Sequence, residues 1–138
     1  MKKALDEAKM ALSEDEIPVG AVIVANNMII GKGYNQTEKL NDVTAHAEML
    51  AITAASNYLG SKYLENCTLY VSLEPCPMCA SAIHAAHLSK VVFAANDPKN
   101  GYSLYHPSLI HSKVQVVKGI MSLESTDMLN TFFKSKRK

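Results

Sequence analysis

The stretch SLEPCPMCASAIHAA, residues 72–86, sets two cysteines three positions apart, each directly after a proline, between a strand-like run and a helix-like run. The run before it, CTLYVSL (67–73), is apolar and rich in residues that favour strands. The run after it, CASAIHAAHL (79–88), is alanine-rich and helical in character. A strand handing over to a helix across Glu74-Pro75 is the basic joint of an α/β fold. Pro75 and Pro77 are tolerated there, because the first-turn amides of a helix have no intrahelical partner to lose. Residues three apart share a helix face, so the sulfurs of Cys76 and Cys79 can point at one centre. Exposed amides and the helix dipole favour thiolate at that end. Spacing alone leaves a disulfide, a redox pair, a structural zinc and a catalytic metal all open.

Outward from this joint the elements alternate, without repeats, low-complexity tracts or an obvious linker. Ala4, Leu5, Ala8, Ala11 and Leu12 fall on one face of an opening helix that ends before Pro18. VGAVIVANNMIIGKGYN (19–35) holds two short apolar runs joined at Asn26-Asn27, a hairpin signal. AHAEMLAITAAS (45–56) reads as a helix, KVVFAA (90–95) and KVQVVKG (113–119) as strands, and SLESTDMLNTFFKSKRK (122–138) as a closing helix. This order predicts an α/β fold of three layers, α/β/α, with helices on both faces of a five-stranded mixed sheet. The nearly continuous apolar strands fit a sheet buried on both sides. At 138 residues the chain is expected to form one domain spanning residues 1–138.

Composition excludes several classes. Hydrophobic residues make up 48% and charged residues 20%, the balance of a soluble globular chain. The longest apolar run, Val19 to Ala25, is far short of the ~20 residues a membrane helix needs. Asp6, Glu7 and Lys9 break up any apolar segment behind Met1-Lys2-Lys3, which argues against a secretory leader. Three cysteines leave one unpaired, against a secreted disulfide framework, so a cytoplasmic location is expected. Net charge is only +1, but residues 1–98 carry 7 basic against 11 acidic groups, and residues 99–138 carry 7 against 2. Four of those last seven are Lys134, Lys136, Arg137 and Lys138. Such a run is ordinary at a solvated terminus, and it is also the asymmetry expected where one edge meets phosphate.

TAHAEMLA (44–51) supplies the partner that the two cysteines lack. His46 also stands at a helix start, with Glu48 two residues on. One histidine and two cysteines are three ligands, one short of a closed structural zinc site. Three ligands leave a position for water, and zinc lowers that water's pKa to about 7. A separation of two does not stack side chains on one helix face, so Glu48 is read as reaching past the metal to the water rather than ligating.

H-A-E at 46–48 and P-C-P-M-C at 75–79 reproduce the H-x-E…P-C-x-x-C signature of the zinc-dependent nucleobase deaminases, and the chain resembles that superfamily. EIPVGAVIV, GYNQ, VVFAANDPKNG, HPSLIH and NTFFKSKRK are similar to its bacterial tRNA adenosine deaminase branch. The resemblance implies one zinc per chain, held by His46, Cys76 and Cys79, with Glu48 as the catalytic acid and base of a hydrolytic deamination. It implies a homodimer acting on the wobble adenosine of a tRNA anticodon stem-loop. Substrate contacts are expected at Asn35 and Asp97, on an aromatic of the last helix (Phe132 or Phe133), and at Lys134, Lys136 and Arg137 on phosphate. Asn35 and Asp97 are otherwise turn formers, and a helical phenylalanine is otherwise core. His84, His87, His106 and His111 are expected to be surface or core residues, and Cys67 a small buried one. The segment GYSLY (101–105) is shorter than the Gly- and Ala-rich run usual in that branch. Two other readings stay open: a deaminase of a free base or nucleotide such as guanine or cytosine, and a non-catalytic zinc-binding module.

Overall fold

A computed structural model of the chain describes residues 1–137, so Lys138 of the basic tail lies outside the described residues. The helices α1 (Lys2–Ser13), α2 (Ala47–Leu59), α3 (Pro77–Ala85) and α4 (Ser122–Lys136) alternate with strands β1 (Gly20–Ala25), β2 (Met28–Tyr34), β3 (Thr68–Leu73), β4 (Lys90–Ala95) and β5 (Gln115–Lys118). The sheet runs β2-β1-β3-β4-β5. β1 is antiparallel to both β2 and β3, whereas β3, β4 and β5 are parallel. The element order and the mixed five-stranded sheet are those the sequence predicts.

Local chemistry explains the joints. Asn26 and Asn27 both adopt positive φ, 50° and 62°, as a two-residue hairpin turn of the correct hand requires, and asparagine tolerates that conformation. α2 stops at Gly60, whose φ of 66° is the left-handed cap that glycine accepts without strain. α1 and α4 cover one face of the sheet, α2 and α3 the other. Ala21, Ile23, Leu69, Val71, Val91 and Phe93 pack with Ala47, Ala51, Ala55 and Ile83. Their strand neighbours Val22, Val92 and Ala94 are buried on the opposite face, where α1 contributes Ala4, Leu5, Ala8 and Ala11. Burial on both faces is what near-continuous apolar strands require. The backbone of α2 comes close to β2, since a Cβ on Gly33 would stand 2.7 Å from the Ala47 carbonyl.

α3 begins at Pro77 with Cys76 as its N-cap, as the first-turn reading of that proline expects. One difference from the sequence reading concerns the second half: the segment before β5 holds two short 3-10 turns, Tyr102–Leu104 and Pro107–Leu109. Isolated turns of this kind leave no hydrophobic period to read. Among the described residues no helix is long and apolar enough to cross a membrane. The fold leaves a crevice where β3 and β4 end and α2 and α3 begin, the usual position for a ligand in a parallel sheet.

Candidate metal centre and substrate cleft

Two helix starts meet in that crevice. His46 is the N-cap of α2 (φ −74°, ψ 156°) and Cys76 the N-cap of α3 (φ −72°, ψ 170°). Their carbonyls open the helices by accepting the N–H of Leu50 and Ala80, at 3.1 and 2.8 Å. Neither side chain makes the capping hydrogen bond usual at this position, so both are free to turn toward a shared centre. Cys79, one turn into α3, is buried beside them. The Nδ1 of His46 lies 3.6 Å from Cys76 Sγ and 3.5 Å from Cys79 Sγ, and the three donor atoms lie within 4.8 Å of one another. Zinc bonds of about 2.3 Å to sulfur and about 2.0–2.1 Å to nitrogen, at a tetrahedral angle, separate the two donors by about 3.6 Å. Spacing and donor chemistry therefore fit zinc. Among the described residues no other group of three such side chains is so disposed.

The charges follow the same geometry. A hydrogen bond with Cys79 holds the Cys76 thiol down to about 4, with His46 helping against the cost of burial. The same contact, with burial, pushes the Cys79 thiol upward. The His46 ring is raised, chiefly by its contact with Cys76. Cysteine ligates as the thiolate, so holding a cation at this site would release protons. Glu48 sits in the first turn of α2, only 3% exposed, and burial pushes its carboxyl up to about 7. It lines the same cleft as His46 and Cys76.

That cleft holds about 1130 Å³. Asn35, Asp97, Phe133, Lys134, Lys136 and Arg137 also line it. Asn35 is 6% exposed, and its side-chain amide makes no hydrogen bond to the protein among the described residues. Phe132 and Phe133 separate: Phe132 is buried below the cleft, edge-on to Phe133, which is 42% exposed within it. Neighbours on a helix point about 100° apart, so only one of the pair can face the cleft. Lys136 is already engaged, its ammonium 2.6 Å from Asp15 and 5.5 Å from the centre of the Phe132 ring. The remaining histidines do not join this group of three donors: His87 stacks on Tyr63, His84 lies beside His111, and His106 pairs with the Ser108 hydroxyl. Cys67 is buried, as expected.

Sequence reasoning missed several residues here. Thr126 and Asn130 extend the Phe133 face of α4 along the cleft, a spacing of four and three that the sequence does display. Ser125 docks that helix by donating its hydroxyl to the Ser72 carbonyl. Glu16 and Glu74 are buried carboxylates that tie down neighbouring loops, and nothing in the local pattern marks them.

Comparison with known proteins agrees with this geometry. Residues 1–95 match the family described as the cytidine and deoxycytidylate deaminase zinc-binding region. A tRNA-specific adenosine deaminase of Bacillus subtilis (strain 168) is 45% identical over 143 residues, covering 100% of this chain and 89% of that protein. A solved structure from work on A-to-I editing by tRNA:A34 deaminases at the wobble position of transfer RNA has a TM-score of 0.86 and 41% identity, covering 94% of this chain and 97% of that one. A guanine deaminase of Bacillus subtilis is 44% identical, with a TM-score of 0.66, but covers only 69% of this chain and 61% of its own.

Proposed function

The chain belongs to the cytidine and deoxycytidylate deaminase zinc-binding family, and from that membership we propose that it hydrolyses adenosine to inosine at the wobble position of a tRNA anticodon. One observation carries the choice of substrate. A single cleft runs from His46, Glu48 and Cys76 to Phe133, Lys134 and Arg137, joining the metal centre to an aromatic and cationic helix face. A free base has no use for that far end. A nucleotide with neighbours on both sides needs it, one base stacking on Phe133 and phosphates meeting Lys134 and Arg137.

His46, Cys76 and Cys79 would hold the zinc. When bound, the metal supplies the Lewis acidity that makes a water nucleophilic near neutral pH. Glu48 moves the protons: its carboxylate takes one from the attacking water and delivers it to purine N1, then carries the second proton of that water to the C6 amine, which leaves as ammonia. Burial excludes bulk water from that exchange. The Asn35 amide, with no protein partner among the described residues, is free to hydrogen-bond the extruded nucleotide, and Asp97 lines the same cleft. The reading includes a homodimer in the cytoplasm, for which exposed Leu40, Val43 and Tyr58 offer uncommitted apolar surface.

A second reading, deamination of free guanine, is favoured by the guanine deaminase similarity alone. Ammonia release from an anticodon stem-loop with wobble adenosine, set beside free adenosine, guanine and cytidine, separates the two. The stem-loop should be the better substrate by kcat/KM. A free base outpacing it would overturn the tRNA reading and leave the deaminase chemistry in place.

A further inference from the structure

Glu74 leaves β3 directly and is 4% exposed, yet the metal chemistry makes no use of it. Its Oε1 accepts the Asp97 N–H at 3.1 Å, while Oε2 accepts the Ser103 N–H at 3.1 Å and the Ser103 hydroxyl at 2.6 Å. Donors from both ends of one loop therefore converge on a single side chain. Asp97 repeats the device one step outward: its Oδ1 accepts the N–H of Lys99 and of Asn100, each at 3.0 Å, and its carbonyl accepts the Gly101 N–H at 3.1 Å. Gly101 completes the fit. A Cβ there would stand 2.4 Å from the Glu74 carboxyl carbon, so only glycine lets the loop close on the carboxylate. Burying a carboxylate is costly unless its hydrogen bonds are supplied, and here the loop supplies them. An apolar side chain would fill a purely structural position at lower cost. The residues so ordered, 96–100, line the cleft beside His46 and Glu48. The compressed segment GYSLY provides both Gly101 and Ser103.

We propose that Glu74 is a positioning residue that acts with Ser103 to fix the 97–103 loop as a rigid wall of the substrate cleft. The inference rests on the deaminase reading for what the wall holds, and on the hydrogen bonds alone for the wall itself. It is not a catalytic residue. Its influence reaches the substrate through Asp97 and the backbone around it, so substrate grip should change while the chemical step does not.

Ser103→Ala removes one donor at an exposed position and leaves the backbone bond, so folding is not at stake. In zinc-loaded protein, tryptic cleavage after Lys99 should accelerate roughly fivefold or more, as expected for losing one hydrogen bond to a charged group. KM, measured with whichever substrate is turned over, should rise roughly three- to tenfold, with kcat within about twofold and zinc content unchanged. Ser103→Thr restores the hydroxyl and should return both readouts toward wild type. Glu74→Gln should exceed Ser103→Ala, and the double variant should show little further change. The proposal is overturned by a wild-type cleavage rate and KM in Ser103→Ala, by changes that Ser103→Thr leaves in place, or by losses confined to kcat and zinc. Cleavage after Lys99 decides the loop whether the substrate proves to be RNA or a free base.

Discussion

Replacing Gly33 by alanine tests how far the metal centre depends on the close seating of α2. The added Cβ would stand 2.7 Å from the Ala47 carbonyl, 2.8 Å from Leu50 Cβ and 2.9 Å from the Ala51 N–H nitrogen. Ordinary contact begins at 3.4 Å, so the start of α2 must retreat by about 0.7 Å. That end carries His46 and Glu48, whereas Cys76 and Cys79 ride on α3. Overpacking of this kind costs about 1–3 kcal/mol, which lowers Tm by several degrees in a chain of this size. The retreat approaches the ~1 Å misplacement that costs about a hundredfold in rate, so kcat should fall roughly ten- to a hundredfold. The assay is single-turnover deamination at saturating substrate and zinc, read beside a thermal melt. Gly31→Ala is the control, because its Cβ meets Ala51 and Ala55 further along the helix, at 2.6 and 2.7 Å. It should lower Tm comparably and turnover less. Wild-type behaviour of Gly33→Ala, or a larger loss of turnover in Gly31→Ala, would show that the seating of α2 on β2 does not set the metal centre.

Each chain should bind about one zinc, and His46→Ala, Cys76→Ala or Cys79→Ala should reduce that occupancy, measured by elemental analysis of the purified protein. Glu48→Gln should keep its zinc and lose turnover by about 10²–10⁴-fold; full activity would contradict the acid and base assignment. Lys134→Ala and Arg137→Ala should each flatten the log–log salt dependence of RNA binding by roughly 0.7, while Lys136→Ala changes it less because Asp15 already engages that ammonium. Sedimentation should report a mass above the 15.1 kDa of one chain at micromolar concentration, and a monomer throughout would remove the second subunit from the account.

What the sequence reveals and what it hides divide along a physical line. The joint at Pro75, the hairpin at Asn26-Asn27 and the alternation of buried strands all follow from local preferences, and each is legible over a few residues. His46, Cys76 and Cys79 are legible because metal ligation needs particular donor types at particular spacings. Glu16 and Glu74 are invisible by comparison. Their partners are backbone amides of Glu38, Lys39, Asp97 and Ser103, which carry no residue signature, and the one side chain among them, the Ser103 hydroxyl; all lie more than twenty positions away. The Phe132–Phe133 pair reads as aromatic in sequence, but the roll of α4 set by Ser125 and Leu129 decides which ring meets the cleft. Lys136 looks like every other cation in the tail until the fold brings Asp15 to it.

Everything proposed for this chain depends on His46, Cys76, Cys79 and Glu48 acting together in hydrolysis at a nucleobase. The most direct measurement runs the zinc-loaded chain on an anticodon stem-loop with wobble adenosine in ¹⁸O-enriched water, then digests the RNA and weighs its nucleosides. Inosine should appear at the wobble position carrying ¹⁸O on C6, and should be all but absent with Glu48→Gln at equal zinc content. Inosine formed equally well by Glu48→Gln, or free of the heavy oxygen, would contradict the account.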